Sequence, residues 1–366
     1  MPLGLLEVRR VRNIDFTRME PGPSINVLAG DNGSGKTSLL EAIHILGVGK
    51  SFRTTQTKDI MRRNSQDFSV TGRYINTGGL ATTVGIKRIQ KGFEIKINGV
   101  TEKKVATLAK VFPLQCITAD SHFGFLHSAK QRRATLDWGL FHVEPDFYEI
   151  WLRYRRLIKQ RNAALKERAS QRLLEALDKS LIPTAKSLNN FRLFYLDHLN
   201  SVLCDYGWIY SDSGATTLTL ELLKGWGDGV SFEQALQKDR ERDYQRGITH
   251  SGPHRADIVF RINNERMADF ASNGQQKLGV IALCLAQMEL LANTSGHRPL
   301  LLLDDISAEL DQFHGAKLMK KLASLQLQVF ATATDVSQVP LKHWPEARVF
   351  HVEQGTFLQE KIKAYA

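Results

Sequence analysis

The chain has 366 residues, 42% of them hydrophobic and 24% charged, a balance that excludes fibrous and disordered classes and allows a sizeable core with two or three lobes. Lysine and arginine number 49 against 38 aspartates and glutamates, so the formal charge is +11, which fits either a solvated basic surface or a phosphate-rich partner such as nucleic acid. Cys116, Cys204 and Cys284 lie too far apart for a zinc or disulfide pattern, and neither a signal peptide nor an apolar run of roughly 18 residues is evident, so a cytoplasmic protein with no membrane partner is expected.

In chain order, Ile25, Val27 and Leu28 read as a short buried strand. Leu39, Leu40, Ile43 and Leu46 recur at helical spacing and predict a helix from Lys36 onward. Between them stand Gly30, Asp31, Asn32, Gly33, Ser34, Gly35, Lys36 and Thr37, followed by Ser38, with the spacing G-x-x-x-x-G-K-[ST] of a phosphate-binding loop. The glycines let successive amides converge on phosphates, and the helix adds its positive N-terminal end. Lys36 is placed to reach the β- and γ-phosphates of a nucleoside triphosphate, and Thr37 to ligate Mg2+. A glycine-rich turn without a ligand is the bland alternative, and the flanking strand and helix argue against it.

Alternating segments at 68–74, 81–89 and 93–99 predict strands, with Asn98-Gly99 as a hairpin turn. The character changes near residue 120. From Phe147, apolar residues at Ile150, Trp151, Tyr154, Leu157, Ile158 and Leu165 form a helical face, while Arg153, Arg155, Arg156, Lys159 and Arg161 crowd the remainder. Further helix is expected at 173–177 and, beyond Pro183, over 191–203. No heptad run sustains an extended coiled coil.

The segment PLLLLDDISAELD at 299–311 predicts a strand buried on both faces that ends in Asp304 and Asp305. Carboxylates at that end of an open α/β sheet sit where ligands bind, which places Asp304 beside the Mg2+ held by Thr37. Upstream, Ser272, Asn273, Gly274 and Gln275 precede a helix with Leu278, Ile281, Leu285, Met288 and Leu291 on one face, a second helix start suited to an anion. Helix capping alone also accounts for Ser272.

The S-x-G-Q pattern ahead of the acidic strand resembles the signature loop of ABC-type ATPases, and SAELD at 307–311 resembles their D-loop. Within that superfamily the chain is similar, over nearly its full length, to the RecF family of bacterial recombination mediators. RRATLDWGLFHVEP (132–145), HSGPHRADI (250–258) and the S-x-G-Q-x-K form (272–277) carry that likeness. It implies an α/β fold, an ABC-type ATPase head with a mixed sheet around the phosphate-loop helix, plus a helical second lobe and no long coiled coil. The head is expected in two parts, 1–120 with the phosphate loop and 241–366 with the signature loop and acidic strand, and the lobe over 121–240.

The resemblance further implies ATP and Mg2+ as cofactors and a weak, DNA-stimulated ATPase. Two subunits are expected to join head to tail with ATP, so that Ser272, Gly274 and Gln275 of one complete the site formed by Lys36, Thr37, Asp304 and Asp305 of the other. It implies duplex DNA and single-strand gap junctions as the substrate, with RecR and RecO as partners in loading RecA. Arg153, Arg155, Arg156, Lys159 and Arg161 are the candidate DNA-phosphate contacts, against the alternative of a solvated helix face.

Several positions depart from the ABC pattern. Asp305 stands where a glutamate usually orients the attacking water, which predicts slow hydrolysis. The switch histidine is replaced within 329–335, leaving Thr332 or Thr334. Gln115 is near the expected glutamine loop, with Asp120 and His122 competing, and Ala271 replaces the signature leucine. Gly252-Pro253-His254-Arg255 reads as a structural turn or a phosphate contact. Two rival classes are an ABC-importer ATPase subunit and a short chromosome-organising clamp.

Overall fold

The structure is a computed structural model that describes residues 2–75, 79–89, 92–118, 121–210, 216–296, 298–305 and 312–360. The chain divides into two compact units, Met1–Ala119 with Gly296–Ala366, and Asp120–Ser295. The first segment runs β1 (Leu3–Val11), β2 (Ile14–Met19), β3 (Ile25–Ala29), α1 (Lys36–Val48), β4 (Ser69–Ile75), β5 (Ala81–Arg88), β6 (Phe93–Ile97), β7 (Val100–Glu102), α2 (Val105–Val111) and β8 (Leu114–Ile117). The second unit follows as α3 (Ser121–His127), α4 (Ala129–Val143), α5 (Phe147–Lys166), α6 (Gln171–Leu203), β9 (Leu218–Leu223), α7 (Phe232–Arg246), β10 (Asp257–Ile262), β11 (Glu265–Arg266), α8 (Met267–Phe270) and α9 (Asn273–Ser295). The first unit then resumes as β12 (Leu300–Leu303), α10 (Gln312–Ser324), β13 (Gln328–Ala333), β14 (Arg348–Glu353) and β15 (Thr356–Glu360).

The first unit is the ATPase-like head. One of its sheets is antiparallel, in the order β2-β1-β4-β5-β6-β7, and the other is mixed, in the order β15-β14-β3-β13-β12-β8. In the mixed sheet all pairings are parallel except β14 with β15. β3, β12 and β13 are buried at every position, which explains the unbroken apolar run of β12 and the mostly apolar β3 and β13, where Asn26, Gln328 and Thr332 are buried with their neighbours. α1 packs against strands of both sheets and is buried around most of its circumference, so apolar residues fill more than one stripe. The β6–β7 hairpin turns on Asn98 and Gly99, both at positive φ (49° and 81°) as its two-residue turn requires.

Register fixes where the site lies. Leu303 is level with Ala331 and Ile117, and Ala29 is level with Ala333 and His351. β3, β13, β12 and β8 therefore finish along one edge of the sheet, and the segments that leave them gather there.

The second unit joins long helices to a small antiparallel sheet, β11-β10-β9. Its limits differ from the expected 121–240. α9, with the signature residues at its start, packs on α6, α4 and α3 and so groups with the helical unit. α9 is apolar and long enough to cross a membrane, but 72% of its most apolar window is buried inside the fold, the mark of a core helix. Pro183 does not divide the helical segment as expected: α6 runs unbroken for 33 residues with Pro183 inside it. A buried face that includes Leu181, Ala185, Leu188, Tyr195 and Leu199 offsets the roughly 3 kcal/mol that an interior proline costs a helix.

Candidate functional site

Gly30 leaves β3 at φ +155°, where a Cβ would stand 2.3 Å from the Val352 carbonyl oxygen. Gly35 caps α1 at φ +123°, and a Cβ there would press on the Asn13 amide. Only glycine suits both positions. The Gly30 amide donates to Ala333 O at 3.3 Å, and the Gly355 amide donates to Ser34 O at 2.7 Å, so the loop is tied to β13 and to the β14–β15 turn. No side chain caps α1 and its first turn carries no acid, which leaves its positive end available to an anion.

Lys36 donates to the carbonyls of Gly30 at 2.5 Å and Asp31 at 2.9 Å, curling back over the loop. Burial lowers its pKa, while Asp305, Asp304 and Asp31 oppose the shift. Ser38 is buried in the first turn of the helix, and the buried Ser34 hydroxyl has no hydrogen-bond partner among the described residues. A cavity of about 650 Å3 opens beside the loop, lined by Asp31, Asn32, Gly33, Thr334, His351 and Gln354 among others.

Asn13 was not singled out from the sequence. Its side-chain amide, in the β1–β2 turn, donates to Ser34 O at 3.1 Å and Gly33 O at 3.3 Å and braces the loop from outside. The neighbouring Arg12 clamps the fully buried Glu41 of α1 through contacts of 2.7 and 2.9 Å. Both act through tertiary contacts that no local pattern announces.

Across the sheet edge, the Thr37 hydroxyl donates to Asp304 Oδ1 at 2.9 Å, and the Thr332 hydroxyl donates to the same oxygen at 2.9 Å. Burial pushes the Asp304 carboxyl up, against the lowering pull of those two hydrogen bonds. Asp305 sits in the left-handed region at φ 54°, and its amide donates to Thr332 Oγ1 at 2.7 Å. Of the two switch candidates, Thr332 is thus buried against both aspartates, and Thr334 is exposed and bonded to Gln338. A hydroxyl beside a carboxylate suits Mg2+, which keeps most of its waters and takes its remaining oxygens from phosphates. Among the described residues, no cluster of three or more His, Cys, Asp or Glu offers a fuller cage.

Gln115 lies level with Leu301, two residues before the carboxyl end of β8, so it falls short of the edge. Asp120 and the 307–311 segment lie outside the described residues, as does the side chain of His122.

Ser272 is exposed at the start of α9 and forms a reciprocal cap: its hydroxyl accepts from the Gln275 amide at 3.3 Å, and Gln275 Oε1 accepts from the Ser272 amide at 3.0 Å. Asn273, Gly274 and Gln275 are exposed around it. Capping does not exhaust the serine, whose hydroxyl proton remains able to meet an incoming oxygen.

Arg153, Arg155, Arg156 and Lys159 are exposed on α5. Arg161 is a correction. It is fully buried, bonded to Asp178 at 2.8 Å, Asp243 at 2.6 Å and Thr249 at 2.9 Å, and cannot meet DNA. It stands seven residues, two helical turns, after the buried Tyr154, and so falls on the inward face. The Gly252–Arg255 string forms a 3-10 turn held by buried contacts. Tyr154 donates to His254 Nδ1 at 2.7 Å, His254 Nε2 reaches Thr249 O at 3.0 Å, and burial pulls the imidazole down to about 4.

Known proteins resemble this chain in sequence and in fold. Residues 2–356 match the family described as RecF/RecN/SMC N terminal domain. The DNA replication and repair protein RecF of Thioalkalivibrio sulfidiphilus is 40% identical, covering 97% of this chain and 99% of that protein. The protein of the same name from Vibrio atlanticus is 37% identical, with 98% and 100% covered. A solved structure of the recombination mediator protein RecF-ATPrS in the RecFOR pathway superposes with a TM-score of 0.85 at 25% identity, with 98% of each chain covered.

Proposed function

Because the chain belongs to the RecF family of DNA replication and repair proteins, we propose that it is an ATP-dependent DNA-binding protein whose two copies, joined by ATP, hold duplex DNA beside a single-strand gap. The observation that carries this reading is the Thr37–Asp304 contact of 2.9 Å, which sets the phosphate loop and the acidic strand at metal-sharing distance.

In the proposed cycle the amides of Gly33 to Ser38 and the Lys36 ammonium hold the β- and γ-phosphates. Thr37 and Asp304 hold Mg2+, which supplies charge neutralisation when bound. Asp305 orients the attacking water, and its short side chain keeps hydrolysis slow. Ser272, Gly274 and the exposed start of α9 meet the γ-phosphate bound by the other copy. Hydrolysis then acts as a timer for release. Arg153, Arg155, Arg156 and Lys159 face the DNA phosphates. RecO and RecR are the proposed partners, and loading of RecA the outcome, in a cytoplasmic setting that suits three free cysteines.

The test is the mass of the protein in solution with ATP, with and without a gapped duplex. A shift from monomer to dimer with ATP, strengthened by gapped DNA, supports the reading. A protein that stays monomeric with saturating ATP and Mg2+ overturns it.

A further inference from the structure

Within the second unit lies a cleft of about 540 Å3 that the ATP cycle does not use. Trp138 and Phe141 of α4 and Tyr148 and Trp151 of α5 line it, each half-buried and each presenting ring surface to the opening. The wall is held in place. The Trp151 indole donates to Asp137 Oδ2 at 3.2 Å, and Asp137 is gripped by both ends of the Arg192 guanidinium at 2.9 Å. Arg192 is itself buried and donates to Pro253 O at 2.7 Å. Tyr148 stacks on Trp151 with centroids 6.3 Å apart and planes 20° apart, and Phe141 meets Tyr148 edge-on at 5.3 Å.

Lys130, Arg133 and Arg155 also line the cleft, and none of the three forms an ion pair among the described residues. The single carboxylate of the lining, Asp137, is already matched by Arg192. Arg133 gives one N–H to Ala256 O at 2.6 Å and keeps the rest of its donors. Burial, and then the neighbouring Arg192, lower its pKa, while Asp257 and Asp137 oppose the shift. Arg155 lies over the Trp151 ring at 4.6 Å, which joins the cleft to the exposed cations Arg156 and Lys159 farther along α5.

Flat aromatic faces beside uncompensated cations select a ligand with a planar ring and an anionic group. A row of cations leading away from the cleft favours a polyanion over a single carboxylate. We propose that this cleft takes an unpaired nucleotide of single-stranded DNA, its base against Trp138, Phe141 or Tyr148 and its phosphate facing Lys130 and Arg133. The proposal rests on the DNA-binding reading above and gives it a means of telling a gap from continuous duplex.

The experiment compares binding of a gapped duplex and a blunt duplex of equal length by fluorescence anisotropy, for the wild type, Trp138→Ala, Tyr148→Ala and Tyr148→Phe. Each alanine variant is expected to weaken binding to the gapped duplex by roughly five- to a hundredfold, the range for loss of one stacked base. Blunt-duplex affinity should stay unchanged, and Tyr148→Phe should keep wild-type preference. In parallel, 5-iodouracil in the gap strand of wild-type complexes should cross-link under ultraviolet light to Trp138, Phe141 or Tyr148. Cross-links found only elsewhere, or equal losses on both duplexes, overturn the proposal. So does an acidic peptide with an aromatic residue that binds the cleft without competition from the gapped strand. A wild type that binds neither duplex fails the DNA reading itself, a result distinct from a wild type that binds both duplexes equally well.

Discussion

The Thr332 hydroxyl donates to Asp304 at 2.9 Å and accepts the Asp305 amide at 2.7 Å, so one buried side chain sets the position of both acidic residues. Thr332→Val keeps the shape and removes both bonds. Each is worth about 1 kcal/mol, so ATP turnover should fall about five- to thirtyfold, with ATP affinity changed much less. The Thr332 hydrogen bond lowers an Asp304 pKa that burial holds above the usual carboxylate range. Without it the pKa rises further, and the ionised form proposed to hold Mg2+ is lost at a higher pH. The acid limb of the pH-rate profile should therefore move to higher pH in the variant; an unmoved limb separates Asp304 ionisation from turnover.

Lys36→Met and Asp305→Asn should fail at different stages. Removing the ammonium deletes charge-assisted contacts of about 1.5–3 kcal/mol, so ATP affinity should drop about ten- to a hundredfold. Asparagine tolerates the left-handed backbone at position 305, so Asp305→Asn should bind ATP and dimerise while hydrolysis nearly stops. Labelled-ATP binding together with phosphate release distinguishes the two, and wild-type turnover in either variant removes that residue from the mechanism.

Ser272→Arg places a long cation at an exposed helix start and should leave ATP binding intact while blocking ATP-driven association. Mixed with Lys36→Met, it should recover part of that association, because one composite site in the mixed dimer keeps both an intact phosphate loop and an intact signature. Normal dimerisation of Ser272→Arg alone rules out a shared site.

Two variants of α5, one single and one triple, should behave oppositely. Arg161→Ala strands Asp178 and Asp243 in the interior and should cost about 3–5 kcal/mol of stability, read as a lower melting temperature. Neutralising exposed Arg153, Arg156 and Lys159 together should leave melting nearly unchanged. It should flatten the slope of log affinity for DNA against log salt by roughly one to three. An unchanged slope makes that face merely solvated.

The parts of the fold that were legible in the sequence are those with a local cause. Leu300 to Leu303 read as a central strand because a strand covered on both faces has no polar position to spare. α1 read as a helix because Leu39, Leu40, Ile43 and Leu46 keep its period. The misreadings came from local rules that tertiary packing overrode. Pro183 suggested a break, but the buried face of α6 carries the helix through. Arg161 was grouped by its charge with its solvated neighbours, although its register with Tyr154 already assigned it inward. Asn13 has no signal at all: it matters only because the β1–β2 turn reaches a loop some twenty residues away. The grouping of α9 with the helical unit likewise depends on its contacts with α6 and not on anything in its own sequence.

β3, the strand that leads into the phosphate loop, has β13 as one neighbour and β14 as the other, and both come from residues beyond 327. The helical unit, Asp120–Ser295, is continuous and can condense while the chain is still being made. The phosphate loop cannot, because its strand waits for partners that lie about 300 residues further along the chain, at 328–333 and 348–353. A ribosome that stops short of β14 releases a chain whose mostly apolar β3 has an open edge, prone to aggregate and unable to cradle a nucleotide. Nucleotide binding in this protein thus reports that synthesis has passed β14.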